Sequence, residues 1–457
     1  MYIKFNFDQE AFIAHMLSKC VEKDGRRIFQ ALQGMVVLNA PAGTGKTTVV
    51  KHLAEKVYNT IVLAPTHKAV RVLTEGGDMR ASTVHSFLGA KDDYDDDGNV
   101  HFKFRGPHKS TIGFLIIVDE CSMLSEAMMK QFELLSKKNL ILFVGDDLQL
   151  PPVTDKGEEG LSPKSKSFDI EDNWKLTENM RARDKRSTDM LQLARQACYN
   201  KRMPIQMPKQ SIANVVQTFV DYQDTDKTAI VLAYSNVKVA EYNKKIRSKL
   251  FLKDGEEELQ KYYVGEKLIY GSGRRVVDKL THEGEESING PENLVAYYSS
   301  HEVRVCEISR VTKTMNYAEC NCDRTMWNRS RCIKHKFYKG TVDIEFWCII
   351  DQERTRWYKP VDPSKLAPLQ VQYKALCMLQ KSRGAWREYY EWVNEYNADL
   401  KYNYAMTVHK SQGSEFHTVF VHRYNIERCT SRDQTLKVCG YYTAISRMRE
   451  EVYDIVP

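Results

Sequence analysis

The chain has 457 residues, 42% of them hydrophobic and 28% charged, with a formal net charge of +7. That is more chain than one ordinary core organises, so at least two globular domains are expected. No apolar run approaches the ~20 residues needed to span a bilayer, which argues against a membrane role, and the modest positive charge permits a polyanionic partner without demanding one.

The opening Met1-Tyr2-Ile3-Lys4-Phe5 lacks the basic stretch, apolar segment and cleavage site of a secretory signal, so a cytoplasmic, intracellular protein is expected. Eleven cysteines, mostly scattered singly as at Cys20, Cys121, Cys198 and Cys377, fit small buried residues in a reducing compartment. The first third then alternates strand and helix patterns. Met35 to Leu38 reads as a strand, Thr47 to Val57 as a helix, Ile61 to Ala64 as a strand and His67 to Leu73 as a helix. Phe114 to Val118 and Leu140 to Val144 add two buried strands, so a parallel sheet covered on both faces is expected. The interval 90–113, acidic at Asp92-Asp93-Tyr94-Asp95-Asp96-Asp97 and then basic, interrupts this pattern as an insertion.

A second α/β pattern starts after residue 160, with a strand at Ala229 to Ala233 and a helix at Lys238 to Leu250. It resumes at Thr418 to Val421, Gln434 to Ile445 and Val452 to Val456. Between them, Val303 to Ile308 and Thr341 to Ile349 alternate like exposed strands. Trp386, Tyr389, Tyr390, Val393 and Tyr396 follow at helical spacing, a stripe better suited to packing than to base stacking. The expected division is therefore 1–160 for the first α/β domain, 161–263 with 401–457 for the second, and 264–400 for an inserted β module with a helical extension.

Ala40-Pro41-Ala42-Gly43-Thr44-Gly45-Lys46-Thr47-Thr48 lies between a strand and a helix, the setting of a phosphate-binding loop. Its amides from Ala42 to Thr48 are placed to surround phosphate oxygens, Lys46 to reach the β and γ oxygens, and the Thr47 hydroxyl to bind Mg²⁺. The pattern's first glycine is Ala40 here. Leu115-Ile116-Ile117-Val118-Asp119-Glu120 is an apolar strand ending in two carboxylates: Asp119 suits the metal, and Glu120 suits orientation or deprotonation of the attacking water. Taken singly, an arginine such as Arg181 or Arg447 reads as a surface residue.

Together these segments resemble the superfamily 1 helicases, and within them the RecD, Pif and Dda group. The resemblance runs in order through the phosphate loop, Ala64-Pro65-Thr66-His67-Lys68-Ala69, Ser82-Thr83-Val84-His85-Ser86-Phe87, Asp119-Glu120-Cys121-Ser122-Met123 and Gly145-Asp146-Asp147-Leu148-Gln149-Leu150-Pro151-Pro152. It continues through Leu176-Thr177-Glu178-Asn179-Met180-Arg181, Thr407-Val408-His409-Lys410-Ser411-Gln412-Gly413 and Tyr442-Thr443-Ala444-Ile445-Ser446-Arg447. It implies two RecA-like motor domains and an ATP-dependent 5′→3′ DNA helicase that uses ATP and Mg²⁺. Gln9 falls where the family reads adenine, Gln149 where it senses the γ-phosphate, and Arg181 and Arg447 where it places two γ-phosphate arginines, both assigned to the second domain. Gly413 joins the nucleotide set. Pro65, Thr66, His67, Thr83, His85, Ser86, Phe87, Thr407, His409 and Lys410 are the implied contacts to single-stranded DNA, through phosphates and a stacked base.

The 90–113 insertion is where the family carries its strand-separating wedge, with Phe102 or Phe104 at its tip or bracing its hairpin. The β module resembles the SH3-like domain of the Dda enzyme. Implied partners are single-stranded DNA, junctions with duplex, and single-strand-binding or replisome proteins. A monomer of phage or viral origin is expected, acting in replication, recombination or repair. Two alternatives stay open, an ATP-switched nucleic-acid clamp that does not unwind and a viral superfamily 1 RNA helicase. Cys320, Cys322, Cys332 and His335 form the one candidate zinc set, in which Cys-x-x-His is ordinary spacing and Cys-x-Cys tight; thiols and an imidazole without metal is the favoured reading.

Overall fold

The computed structural model describes residues 4–23, 26–28, 33–74, 79–94, 100–106, 111–152, 164–180, 185–203, 207–253, 255–271, 274–278, 294–298, 301–320, 337–380, 383–428 and 433–456. The chain divides into two units: Met1–Ala90, Phe104–Leu259 and Tyr404–Pro457 form one, and Lys91–Lys103 with Gln260–Asn403 form the other.

The first unit contains two wholly parallel sheets, each with the helices that serve it. In the first lobe six strands run in the order Asn173–Lys175, Gly34–Asn39, Leu140–Gly145, Leu115–Val118, Thr60–Ala64 and Ala81–Thr83. Successive strand residues point to opposite faces, and here both faces are apolar. Val36, Leu38, Leu115, Ile117, Leu140 and Leu142 join Phe12, Val49 and Leu53 of the helices Phe7–Ser18 and Lys46–Lys56. Val37, Ile116, Val118, Ile141 and Phe143 join Met128, Met129 and Phe132 of Glu126–Ser136 on the other face. Truncating any of these buried aliphatics to alanine would cost about 2–5 kcal/mol.

One expectation is corrected. Asn173–Lys175 pairs with Gly34–Asn39, Trp174 lying opposite Leu38, so the first lobe closes beyond residue 160. The second lobe orders its five strands as Lys209–Ser211, Met448–Val456, Phe416–Val421, Ala229–Ala233 and Ala405–Thr407.

The second unit is antiparallel. Arg356–Pro360, Phe337–Asp351, Glu302–Cys320, Lys267–Tyr270 and Leu400–Tyr402 form one sheet, and Arg274–Asp278 pairs with Leu294–Tyr298. The hairpin Lys91–Tyr94 and Val100–Lys103 belongs to this unit, although its sequence interrupts the first lobe. The helix Arg383–Tyr396, which follows Pro363–Gln380, carries the aromatic stripe inward. Trp386 is buried against Tyr389, and Tyr396 packs with Phe346 and Trp392.

Candidate active site

Gly34–Asn39 delivers the chain into the phosphate loop, and the helix Lys46–Lys56 starts at once with Gly45 as N-cap. Gly43 and Gly45 have φ of 84° and 79°, a region that penalises any side chain. Crowding reinforces this. A Cβ on Gly43 would lie 2.7 Å from Asn179 Nδ2, and one on Gly45 2.5 Å from Gln9 Nε2. Among the described residues no side chain caps the helix, so its N-terminus keeps the character of an anion site. Lys46 Nζ donates to the Ala40 carbonyl at 3.1 Å, folding across the loop, and Thr47 and Thr48 are half-buried behind it.

Gln9 braces this loop from behind. Its side chain forms a capping box with Asn6: Gln9 N donates to Asn6 Oδ1 at 2.9 Å and Asn6 N donates to Gln9 Oε1 at 3.0 Å. Its Nε2 donates to the Thr44 carbonyl at 2.9 Å. Each end of the amide thus makes one bond to protein, so Gln9 supports the loop at the position where the base-reading role was implied for it. Asn-x-x-Gln before an apolar run is itself a capping signature, a signal present in the sequence and passed over.

Leu115–Val118 ends in the acid pair. Asp119 is buried and its Oδ1 accepts from the Glu120 amide at 2.9 Å. Burial, then the neighbouring Glu120 carboxylate, pushes the Asp119 carboxyl up to about 7, with Lys46 opposing them. Glu120 sits at φ 53°, an uncommon conformation for a non-glycine residue, and its Oε2 is buried without a hydrogen-bond partner among the described residues. A buried acceptor left this way is costly unless something else fills the site. The adjacent strand Leu140–Gly145 presses against this turn, since a Cβ on Gly145 would lie 2.6 Å from Cys121 Sγ. Beyond it Gln149 is buried with neither amide atom partnered among the described residues. Donor chemistry and unfilled polar atoms therefore fit a magnesium nucleotide: Lys46 and the helix N-terminus for phosphate, Thr47 and Asp119 for the metal.

Arg447 is buried, its Nε donating to the Thr443 carbonyl at 3.1 Å and its Nη2 to Ser446 Oγ at 2.9 Å. Arg181 lies outside the described residues. The residues before it reach the phosphate loop: Asn179 Nδ2 donates to the Ala42 carbonyl at 3.2 Å and Met180 N to the Gly43 carbonyl at 2.7 Å. Asn179 and Met180 are loop-supporting residues missed in the sequence, where only the arginine of their motif was singled out.

Among the strand candidates, Thr66 Oγ1 accepts from Ala69 N and Thr83 Oγ1 from Ser86 N, each at 3.2 Å. Both hydroxyls begin helices, His67–Thr74 and Val84–Phe87, and an accepting hydroxyl keeps its proton for a phosphate oxygen. His67 is driven down to about 4 by burial and then by His85, so it stays neutral at pH 7; burial also lowers His409, whose ring lies 5.6 Å from that of Tyr234. Pro65 and His85 are half-buried, Ser86 and Lys410 exposed, and Thr407 buried. Phe87 and Phe104 both pack against the first lobe's core, and the Phe104 ring lies 6.4 Å from that of His85. Phe104 is thus at the root of the hairpin, not its tip. Phe102 stands opposite Asp92 in the hairpin, with its side chain and the turn outside the described residues.

Gly413, expected in the nucleotide set, lies at the junction of the two lobes. It has φ 72°, and a Cβ there would lie 3.3 Å from the Ala69 Cβ, which puts it beside the strand candidates of the first lobe. Lys68 Nζ lies 5.4 Å from the Phe416 ring at the same junction. The Cys320 side chain, Cys322, Cys332 and His335 fall outside the described residues, and no metal-binding group occurs among those described. No described helix is long and apolar enough to cross a membrane.

Two family models match this chain, an AAA domain over residues 26–155 and a UvrD-like helicase C-terminal domain over residues 402–453. The first spans Lys46, Asp119, Glu120 and Gln149, the second Thr407 to Arg447. An uncharacterized protein of Acanthamoeba polyphaga mimivirus is 22% identical over 98% of this chain and 99% of its own length. Over 26% of this chain, the ATP-dependent DNA helicase dda of Enterobacteria phage T4 is 34% identical and the ATP-dependent RecD2 DNA helicase of Deinococcus radiodurans 41% identical. Those stretches are 28% and 16% of the two helicases' lengths. A crystal structure of Pif1 helicase from Bacteroides, with ADP-AlF3 and ssDNA, aligns over 100% of this chain and 95% of its own at 16% identity and TM-score 0.48.

Proposed function

Because the chain belongs to the superfamily 1 helicases of the Pif, RecD and Dda type, and is accordingly an ATP-driven DNA helicase, we propose that it tracks 5′→3′ along single-stranded DNA and opens duplex ahead of it. The observation that carries this reading is the meeting of the two lobes at Gly413 and Ala69, where a candidate strand segment of one abuts that of the other.

Hydrolysis falls to residues of both lobes. Lys46 and the helix N-terminus bind the β- and γ-phosphates, and Glu120 takes the proton of the attacking water. Gln149 supplies a buried amide to the γ-phosphate, and Arg447 with Arg181 balances the charge that spreads over its oxygens in the transition state. Thr47 and Asp119 would hold the magnesium, which would supply further charge neutralisation. Loss of the γ-phosphate removes the ligand shared by the lobes, and the cleft relaxes. Thr66, His67, Thr83 and His85 on one lobe and Thr407, His409 and Lys410 on the other grip phosphates, so alternating grip converts each cycle into a step. The reading places the protein in replication, recombination or repair.

Partial duplexes with 5′ or 3′ single-stranded tails, in DNA and in RNA, test this through ATP-dependent strand release. Release only from 5′-tailed DNA is expected. Hydrolysis without release would favour the clamp, and release from tailed RNA alone would favour an RNA helicase. Phe102→Ala should lower strand release by roughly tenfold, as loss of an inserted apolar wedge would, while strand-stimulated hydrolysis continues. Unchanged release would take the wedge role from the hairpin's Phe102.

A further inference from the structure

The segment Asp146–Leu150 belongs to the first lobe, where Asp147 N donates to Asn39 Oδ1, yet both of its ends take partners from the second. Asp146 is fully buried. Its Oδ1 accepts from Arg195 Nη1 at 3.0 Å and its Oδ2 from the Tyr442 hydroxyl at 2.6 Å. Arg195 Nη1 also donates to the Tyr442 oxygen at 2.9 Å, which closes a triangle. At the other end, Leu150 N donates to Thr443 Oγ1 at 2.9 Å and Gln412 Nε2 donates to the Leu150 carbonyl at 3.1 Å. Between these anchors Gln149 has neither side-chain amide atom partnered among the described residues, while its backbone N donates to the Asp146 carbonyl at 3.2 Å.

Thr443 has a second task. Its carbonyl accepts from Arg447 Nε at 3.1 Å, so one residue holds both the end of the Gln149 segment and the buried arginine. Arg195 lies on the helix Lys185–Tyr199, and Tyr442 and Thr443 on Gln434–Ile445.

We infer that Asp146, Arg195, Tyr442 and Thr443 form a latch between the lobes, through which the position of the second lobe sets where Gln149 and Arg447 stand at the nucleotide. These are positioning residues. A buried carboxylate needs its partners, so the segment cannot stay behind when Arg195 and Tyr442 shift without stranding a charge in a dry interior. Fully satisfied buried networks change as a unit, which suits a device with two arrangements. The inference rests on the proposed motor, in which strand binding governs the second lobe.

The test uses the full chain. ATP turnover is measured with and without oligothymidylate for wild type, Tyr442→Phe, Arg195→Met, Arg195→Lys and the double variant Tyr442→Phe/Arg195→Met. Tyr442→Phe removes one hydroxyl and keeps the ring. Its strand-stimulated kcat should fall roughly tenfold while KM for ATP moves less than about twofold. Arg195→Lys should retain more stimulation than Arg195→Met. The double variant should be no worse than the poorer single one, because the latch acts as one unit. A lowered melting temperature with an unchanged ratio of stimulated to unstimulated turnover, or strictly additive losses, would overturn the latch. Absence of strand stimulation in wild type would remove the motor reading itself, and the latch with it.

Discussion

Two neighbouring strands of the first lobe end alike and are used differently. Leu115–Val118 runs into Asp119-Glu120, and Leu140–Gly145 into Asp146-Asp147. Both runs are wholly buried, and both present their first acid to the interior. The first pair is left open, with Glu120 Oε2 unpartnered and Asp119 bound only by the neighbouring amide among the described contacts. In the second pair it is the first acid that is closed by residues far along the chain, because Arg195 and Tyr442 satisfy Asp146, while Asp147 Oδ1 is buried without a partner among the described residues. An acidic strand end is thus chemically ambiguous. Unsatisfied, it awaits a metal or a water; satisfied by another lobe, it becomes a joint.

The sharpest way to break this comparison is to neutralise each end separately. Glu120→Gln should lower kcat by roughly a hundredfold or more, with and without strand, while a fluorescent ATP analogue still binds. Asp146→Asn should act chiefly on the strand-stimulated rate. If Glu120→Gln turned over ATP near normally, the open end would not hold the base. If Asp146→Asn lowered both rates equally, the two ends would be doing the same work.

How much of this was legible follows from the range of the interactions. The central strands were plain because residues buried on both faces leave uninterrupted apolar runs, as in Leu140 to Val144. The phosphate loop was plain because its glycines, Lys46 and Thr47 are contiguous. Asn173–Lys175 was missed because a three-residue edge strand with only Trp174 half-buried has no periodicity to detect. The loop-bracing role of Gln9 was hidden by a family position that suggested a different use. Arg195 was invisible for another reason. Nothing local distinguishes it from a solvated helix arginine, and the two partners that join it to the latch are 49 residues before it and 247 after. Phe104, chosen for alternation with charged residues, packs on the core just outside the strand Val100–Lys103.

A mid-sized effect tests whether the two ends depend on each other. A Cβ on Gly145 would lie 2.6 Å from Cys121 Sγ and 3.1 Å from Cys121 N. Gly145→Ala should therefore push the acid turns apart, destabilising by about 1–3 kcal/mol as overpacking does, and reduce turnover. Cys121→Ala removes the sulfur but not the backbone amide. The pair Gly145→Ala/Cys121→Ala should accordingly recover part of the loss in a urea melt, with a coupling larger than the ~0.5 kcal/mol expected of independent sites. Strict additivity would mean that the turns are not in working contact.

The smallest effect belongs to the support of the open end. Ser167 is fully buried and its Oγ donates to the Cys121 carbonyl at 3.3 Å, one residue past Glu120. This hydroxyl is the counterpart, on that side, of Thr443 on the other, but its own segment belongs to the first lobe and does not travel with the second. Ser167→Ala should therefore cost about 1 kcal/mol, the ordinary net worth of a buried neutral hydrogen bond, read as a lower urea midpoint at unchanged m. Because the bond lies within one lobe, its loss should scale stimulated and unstimulated turnover together. A selective loss of strand stimulation in Ser167→Ala would show that the open end, too, is moved by the second lobe, and the distinction between a reactive end and a joint would fail.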